Sequence, residues 1–297
     1  MVEAATGNKD SLIQRASLLR ITTKTLANNL QSGSFKSLYH GQGIEFAGVR
    51  EYLRGDDVRA IDWNVTARNA KPFVKIFEEE RELQIFLVID RSLSMQAGAS
   101  GKSKYHMAME ISALLTLAAE HNSNPVGAVS FNGEIEFVCS PKSGPKQTMI
   151  LLSHLDNEAE KNVRGSVLGN ALTGAGKILK KRSLVFVISD FRMRDWEEPL
   201  VHLAGKHDVV CIRIGDPSDY ELPLMGTVPF TDPENGITKL MPTDSKKFRD
   251  SWREDGRMRQ QRWVDSCLKH GGVPLKISTN EDPLAVLSSF FSKREVL

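Results

Sequence analysis

The chain has 297 residues, of which 40% are hydrophobic and 26% are charged, and its formal net charge is +2 at pH 7. A chain of this size can bury one large α/β core with an appended element. So small a net charge does not indicate a nucleic-acid-binding protein, and no apolar run approaches the roughly 20 residues of a membrane span. The N-terminus lacks the pattern of a signal peptide, so we expect a cytoplasmic protein without direct membrane insertion.

Residues 1–80 are predicted to form an N-terminal region that begins with a helix from Ser11 to Leu30. In the second half of this region, charged residues of nearly balanced sign alternate with aromatic and apolar residues. Tyr52, Ile61, Trp63 and Phe73 are expected to anchor the segment on an edge of a sheet, while its charges pair with one another.

Two functions stay open for this charged and aromatic segment. It is either a charge-paired clamp that covers an edge strand, or a docking surface for a partner protein, because arginine and aromatic residues are enriched in binding hot spots. The candidate partner-binding residues are Arg50, Arg54, Asp56, Asp57, Arg59, Trp63 and Arg68.

Residues 81–297 are predicted to form a doubly wound α/β domain with helices on both faces of a mostly parallel sheet. Strands are predicted at 83–90, 125–131, 134–139, 183–189, 208–214 and 273–277. Helices are predicted at 104–121, 145–155, 168–181, 195–205, 245–269 and 283–292. Asn132-Gly133 predicts a two-residue hairpin turn, which makes one strand an antiparallel edge strand. The segment from about 216 to 244, rich in Pro and Gly, predicts an inserted hairpin.

The predicted helix 245–269 carries an excess of basic residues, which can bind phosphates in other proteins. Apolar residues nevertheless recur in it at helical spacing, so we expect a buried stripe opposite a solvated basic face. The residues of that stripe are Phe248, Trp252, Trp263, Cys267 and Leu268. Three cysteines, odd in number and far apart, are predicted to be reduced rather than disulfide-bonded, zinc-binding or nucleophilic.

A candidate metal site follows the apolar strand that ends at Asp90. Ser92 and Ser94 come at alternate positions after this carboxylate, at the edge of the sheet where open α/β folds bind ligands. Carboxylate and hydroxyl oxygens can supply part of the octahedral shell of Mg²⁺. The same three residues could equally form a helix-capping turn.

Two further segments are predicted to reach the same edge. Ser166 precedes a predicted helix, so it is either the N-cap of that helix or a further hydroxyl ligand. Asp190 follows a second apolar strand of the same form. Because Asp190 lies at a strand end rather than in the core, we expect its replacement by alanine to leave the fold intact.

The five residues Asp90, Ser92, Ser94, Ser166 and Asp190 resemble the metal-ion-dependent adhesion site of the von Willebrand factor A domain. This resemblance implies Mg²⁺ or Mn²⁺ bound weakly in the free protein, mainly through the hydroxyls, with a position left for a partner's carboxylate. The chain departs from that pattern at Ser166, where the family has Thr, and at Phe191, where Gly commonly follows the last Asp.

A second resemblance lies before the sheet, in Gly43-Ile44-Glu45-Phe46, in REYLRGDDVRAIDWNVTAR at 50–68 and in KIFEEERE at 75–82. These motifs are similar to the signature of the bacterial family called domain of unknown function 58 (DUF58). The resemblance implies a von Willebrand A-like domain and a MoxR-type AAA+ ATPase, or other von Willebrand A proteins, as partners. It also implies an adaptor role in chaperone-like maturation or stress response.

Enzyme functions find less support in the residues. A phosphohydrolase using Asp90 is the alternative, but haloacid-dehalogenase-like phosphatases need a second carboxylate two residues later, where this chain has Ser92. No Gly-x-Ser-x-Gly elbow is present for a serine hydrolase. Gly174-Ala175-Gly176-Lys177 lies inside a predicted helix, without the spacing of a phosphate-binding loop. We therefore expect a binding module rather than an enzyme.

Overall fold

The computed structural model describes residues 27, 44–69, 71–79, 83–96, 98, 101–157, 166–231 and 237–292. They fall into two compact units, one within residues 36–82 and the other containing Ala27 and the chain from 83 onward. The predicted helix from Ser11 to Leu30 lies outside the described residues except for Ala27.

The smaller unit is an antiparallel strand pair with a short helix between the strands. Strand β1 (Ile44–Glu51) pairs with β2 (Phe73–Glu79), and helix α1 (Trp63–Asn69) lies between them in the chain. Asp62 begins this helix, because its carboxylate accepts hydrogen bonds from the backbone N–H groups of Asn64 and Val65.

The larger unit contains the six predicted sheet strands, each within three residues of its expected ends. They are β3 (Ile85–Asp90), β4 (Val126–Phe131), β5 (Ile135–Lys142), β6 (Leu184–Ser189), β7 (Asp208–Gly215) and, after an inserted hairpin, β10 (Gly272–Ser278). The strand order is β10-β7-β6-β3-β4-β5. Only β5 is antiparallel to its neighbour in this sheet, so the predicted antiparallel edge strand is confirmed.

Six helices of the larger unit also match their predicted positions within three residues. They are α2 (Lys104–His121), α3 (Pro145–Asp156), α4 (Leu168–Ile178), α5 (Glu197–Ala204), α6 (Lys246–Lys269) and α7 (Pro283–Ser292). Every residue of β3, β4 and β6 is buried, which requires cover on both faces of the sheet. On one face Phe86 and Val88 pack with Leu168 and Leu172 of α4.

The turn between β4 and β5 differs from the predicted two-residue turn. The pair nearest the turn is Phe131 and Ile135, so three residues separate the strands, and the register shifts beside this pair. Asn132 stabilises the longer turn, because its side-chain oxygen accepts a hydrogen bond from the Glu134 backbone N–H at 2.9 Å. The Asn-Gly signal located the hairpin correctly but gave the wrong loop length.

The predicted insertion at 216–244 contains a hairpin, as expected. Strands β8 (Thr227–Thr231) and β9 (Thr238–Pro242) pair antiparallel, and residues 232–236 between them lie outside the described part of the chain. In helix α6, Trp263 and Cys267 are buried as predicted, whereas Leu268 is 61% exposed, so its place in the buried stripe was wrong. All three cysteines, Cys139, Cys211 and Cys267, are free.

None of the helices in the described ranges combines the length and the apolar character needed to cross a bilayer.

Candidate metal centre

Two adjacent strand ends build the candidate site. Strand β3 ends at Asp90 and the parallel strand β6 ends at Ser189, and their register pairs Ile89 with Ile188. This register places Ser189 beside Asp90, and the Ser189 hydroxyl donates a hydrogen bond to Asp90 Oδ2 at 2.6 Å. Asp190 is therefore the first residue beyond β6.

The loop after β3 folds back onto the carboxylate from which it begins. The backbone N–H of Ser92 donates to Asp90 Oδ1 at 2.9 Å, and Ser92 Oγ lies 3.1 Å from Ser94 Oγ. A 3-10 turn from Leu93 to Gln96 follows. The loop after β3 thus forms a turn and brings the hydroxyl oxygens of Ser92 and Ser94 together.

The two carboxylates influence each other electrostatically. Burial and, to a lesser degree, the negative charge of Asp190 together raise the pKa of Asp90 to about 7, against hydrogen bonds from Ser189 and Ser92 that lower it. Both carboxylates are almost fully buried. A cation near this pair would relieve the unfavourable contribution of their like charges.

Ser166 reaches the same region from a third loop. Helix α4 has Val167 as its N-cap and no side-chain capping bond, so the N-cap alternative for Ser166 was wrong. Ser166 Oγ is buried and has no hydrogen-bond partner within the described part of the chain. Ser166 and Ser94 both line one cavity of the larger unit. The structure thus brings Ser166 to the cavity that the loop after β3 also reaches.

Sequence reasoning missed a buried lysine beside Asp190. Lys104 Nζ lies 3.5 Å from Asp190 Oδ2 and 3.3 Å from Asp219 Oδ2, and both its carboxylate partners are buried. Burial alone would raise the pKa of Asp219, but the positive charges of Lys104 and Arg192 outweigh burial and hold that pKa below its usual value. Arg192 also contacts Asp190, at 3.6 Å from Oδ2.

Two local signals could have pointed to these residues. Lys104 is the first residue of α2, where a basic side chain opposes the helix dipole unless carboxylates lie nearby. Asp219 forms a capping box with Asp216, a spacing that the sequence shows directly. Asp190 itself is buried and paired with Lys104, so the premise that it lies at a strand end outside the core was wrong.

The donor set fits a hard divalent cation. Two carboxylates and three hydroxyls offer only oxygen atoms, which Mg²⁺ and Mn²⁺ prefer. No group of three or more His, Cys, Asp or Glu side chains is arranged to hold a metal ion in the described ranges. The buried Ser166 hydroxyl, which lacks a partner, is the atom best explained by an additional ligand.

The smaller unit contains the second candidate surface. Arg50 pairs with Asp56 through two hydrogen bonds of 2.7 and 2.8 Å, which lowers the pKa of Asp56, and Asp56 also accepts from the Leu53 backbone N–H. Asp57 instead caps a short 3-10 turn by accepting from the Arg59 backbone N–H.

Other candidates on that surface are more exposed than expected. Trp63 is 67% exposed, so its predicted role as a buried anchor was wrong. Arg54, Arg59 and Arg68 form no ion pair with any described residue, and the expected pairing of charges holds for Arg50 and Asp56 but not for these three. Exposed arginines beside an exposed tryptophan are typical of a binding surface.

Comparison with known families identifies related sequences over most of the chain. A family model described as "Protein of unknown function DUF58" matches residues 48–262. Uncharacterized protein Rv1480 of Mycobacterium tuberculosis (strain ATCC 25618 / H37Rv) is 31% identical over 280 residues, which cover 93% of this chain and 87% of the relative. Uncharacterized protein MAV169 of Mycobacterium avium is 30% identical over 153 residues, covering 50% of this chain and 88% of the relative.

Solved structures with a similar fold are distant in sequence. An aerotolerance-related membrane protein from Bacteroides fragilis NCTC 9343, with multiple mutations to serines, has a TM-score of 0.50 at 15% identity, covering 72% of this chain and 98% of that one. The conserved hypothetical protein BatB from Bacteroides thetaiotaomicron has a TM-score of 0.49 at 17% identity, and the match covers 72% of this chain and 100% of that one. The Bacteroides fragilis similarity concerns the fold alone and agrees with the mixed α/β sheet described above.

Proposed function

This chain belongs to the DUF58 family, and we propose that it is a metal-dependent protein–protein interaction module rather than an enzyme. In this proposal its larger unit is a von Willebrand A-like domain that binds Mg²⁺ or Mn²⁺. The residues that would hold the ion are Asp90, Ser92, Ser94, Ser166 and Asp190. A bound ion would supply a coordination position for a carboxylate of the partner protein.

One observation carries the proposal: the buried Ser166 hydroxyl has no hydrogen-bond partner in the described chain, and it lines the same cavity as Ser94. A buried polar atom without a partner costs about 1 to 3 kcal/mol, so an additional ligand accounts for its position. The close carboxylates of Asp90 and Asp190 add support, because a divalent cation would relieve their repulsion.

Weak binding in the free protein follows from the charges around the site. Lys104 and Arg192 already balance part of the charge of Asp190, which reduces its attraction for a divalent ion. Mg²⁺ also loses its hydration water reluctantly. A partner carboxylate would add negative charge and strengthen the binding of the ion, so metal and partner are expected to bind cooperatively.

The partner in this proposal is a MoxR-type AAA+ ATPase, with other von Willebrand A proteins as further candidates. The family resemblance supports this choice, together with an adaptor role in chaperone-like maturation or stress response. The cytoplasmic location expected from the sequence stays a prediction within this proposal.

The alternative, a phosphohydrolase with Asp90 as nucleophile, has less support. Ser92 stands where the general acid of such phosphatases would be, and a serine hydroxyl cannot replace a carboxylic acid in that role.

The first test measures metal binding directly. Calorimetry on the wild-type chain should show weak binding of Mg²⁺ and Mn²⁺, which Asp190→Asn should abolish. Asp195→Asn, an exposed carboxylate five residues further along, is the matched control and should bind as the wild type does. Tight binding of Zn²⁺ in preference to both ions would count against an oxygen site.

The second test separates the two candidate surfaces. If the metal centre binds the partner, Asp190→Asn or a chelator should abolish a pull-down of the cognate MoxR-type ATPase. If the smaller unit provides the interface, Arg54→Glu or Arg59→Glu should weaken the pull-down while a chelator leaves it unchanged. A pull-down unaffected by all of these changes would exclude both surfaces.

A further inference from the structure

A large cavity adjoins the candidate metal centre and is lined mainly by cations and aromatic rings. Its volume is about 920 Å³, within the usual range for ligand pockets. The hairpin β8–β9 forms one side through Phe230 and Met241, helix α6 contributes Trp252, and Ser94 and Ser166 lie on its wall. The inserted hairpin thus has a structural role that its sequence left open.

The charges around this cavity are unbalanced. Glu197 is the one acidic residue among the described residues that line it. The cations that line it are Arg192, Arg194, Arg213, Lys239, Arg259 and Arg262. Of these, Arg194, Lys239 and Arg262 form no ion pair with any residue in the described ranges. The cavity therefore has an excess of positive charge to offer an anion.

Two buried donors on the cavity wall lack partners. Arg213 is 8% exposed, and its Nη1 has no hydrogen-bond partner among the described residues. The indole N–H of Trp263, which is 6% exposed, also has none there, and the Arg213 guanidinium lies over the Trp263 ring at 5.7 Å. Buried N–H groups without acceptors are costly, so this pair favours an acceptor other than the described residues, such as a bound ligand.

Arg213 also connects the cavity to the metal centre. Strand β7 pairs Arg213 with Ser189, whose hydroxyl donates to Asp90. A ligand that reached from Arg213 to Ser94 and Ser166 would lie along the carboxyl ends of β7, β6 and β3. Its anionic groups would be spread over that length.

We propose that this cavity binds an acidic peptide segment of the partner protein, with a carboxylate on Arg213 and Trp263 and apolar side chains against the aromatic wall. This deepens and rests on the proposed function, because it names the chemistry of the partner that the same region binds. The cations come from several separate elements, which matches several carboxylates along a chain better than one compact phosphate group. Phe191, Phe230 and Trp252 provide apolar surface that a free phosphate would not use.

The test uses a fluorescein-labelled peptide of alternating Asp and Phe, with the Asn–Phe peptide as the uncharged control. In fluorescence anisotropy with the full chain, the Asp–Phe peptide should bind and the Asn–Phe peptide should not. This result should be the same with and without chelator. Arg213→Met should weaken binding at least about tenfold, which corresponds to about 1.4 kcal/mol. Arg262→Gln should weaken it severalfold, whereas Arg257→Gln, on the same helix but outside the cavity, should leave it unchanged.

Thermal unfolding distinguishes ligand binding from a structural role for Arg213. Arg213→Met should unfold at the same or a higher temperature than the wild type, because a buried charge with an unmatched N–H is removed. Lower stability together with unchanged peptide affinity would overturn the proposal. Equal binding of both peptides, or displacement by inorganic phosphate or ATP at lower concentration than by unlabelled Asp–Phe peptide, would also overturn it.

Chelator separates this proposal from the metal-dependent function. If Mg²⁺ has no effect on the ATPase pull-down but the Asp–Phe peptide binds through Arg213, the metal-dependent function fails and the cavity assignment holds. If the pull-down depends on Mg²⁺ but the peptide does not bind under any condition, the cavity assignment fails and the metal-dependent function holds.

Discussion

The Ser189 hydroxyl donates a 2.6 Å hydrogen bond to Asp90 Oδ2, so the end of strand β6 holds the carboxylate at the end of β3. Ser189 Oγ also accepts from the Phe191 backbone N–H at 3.0 Å. One hydroxyl therefore orients a proposed metal ligand and fixes the loop that carries the second carboxylate. Donation to Asp90 stabilises its charged form, against the burial that raises its pKa.

We predict that Ser189→Ala lowers the free energy of unfolding by about 1 to 3 kcal/mol, because two buried polar groups lose their partner. It should also weaken Mn²⁺ binding measured by calorimetry. Ser183→Ala is the matched control, since Ser183 is buried just before the other end of β6 and donates to the Lys181 carbonyl. Equal loss of metal affinity in both variants would contradict the role assigned to Ser189.

Phe191 occupies a left-handed backbone conformation, with φ of +52° directly after Asp190. Glycine adopts this conformation without strain, whereas a residue with a side chain does so only at a cost. Phe191 compensates by packing against Trp196 and Trp263, with ring centroids 5.2 and 5.5 Å away.

Two substitutions at Phe191 separate strain from packing. Phe191→Ala loses the ring contacts and keeps the strained backbone, whereas Phe191→Gly loses the same contacts and relieves the strain. We expect the glycine variant to be more stable than the alanine variant by about 1 kcal/mol in urea denaturation. An alanine variant as stable as the glycine variant would show that φ at this position is not strained.

Gly256 allows helix α6 to pass close to the backbone that carries Asp219. A Cβ atom at 256 would lie 2.6 Å from the Asp219 carbonyl oxygen and 3.0 Å from the Tyr220 ring. Gly174, in helix α4, faces open space. The same substitution should therefore have opposite effects at the two helical positions.

Gly256→Ala should lower the free energy of unfolding by about 1 to 3 kcal/mol, because the two segments must separate. Gly174→Ala should raise it by about 0.5 to 1 kcal/mol, because alanine favours the helix. Urea denaturation of both variants measures the difference. Stabilisation by both would show that α6 can shift without cost.

The larger unit was largely predictable from the sequence, because its strands are apolar runs and the stretches between them carry apolar residues at helical spacing. Asp90 and Asp190 were visible for the same reason, since each directly follows such a run. Local signals mark Lys104 and Asp219 separately, but the contact between them joins residues 115 positions apart, and no local pattern pairs them. The sequence could therefore find the carboxylates but not the ion pairs that balance their charge.

Two wrong predictions about side chains have simple physical causes. Leu268 follows buried Cys267, and successive residues of a helix are about 100° apart, so both cannot face the same way. Trp63 was expected to be buried because aromatic residues usually are, but its unit is only a strand pair with one short helix. So small a unit buries little surface.

His154 should make stability depend on pH. Its Nε2 lies 3.1 Å from Arg91 Nη1, which can only donate, and 2.8 Å from Ser130 Oγ, so Nε2 accepts and the ring is neutral. Burial, together with the positive charge of Arg91, lowers the pKa of His154 to about 4. Protonation of His154 Nε2 in the folded state would place its N–H against the Arg91 guanidinium, which can only donate hydrogen bonds.

The folded pKa lies below the unfolded value of about 6.5, so the unfolded chain binds the proton first as pH falls. This contribution to stability is fully present above pH 6.5 and is lost as pH falls toward 4. Between pH 7.5 and 5 the wild type should lose about 1 to 2 kcal/mol more than His154→Gln, after allowance for partial exposure of the ring. Urea denaturation at the two pH values measures both losses, and equal losses would show that His154 protonates as easily in the folded chain as in the unfolded one.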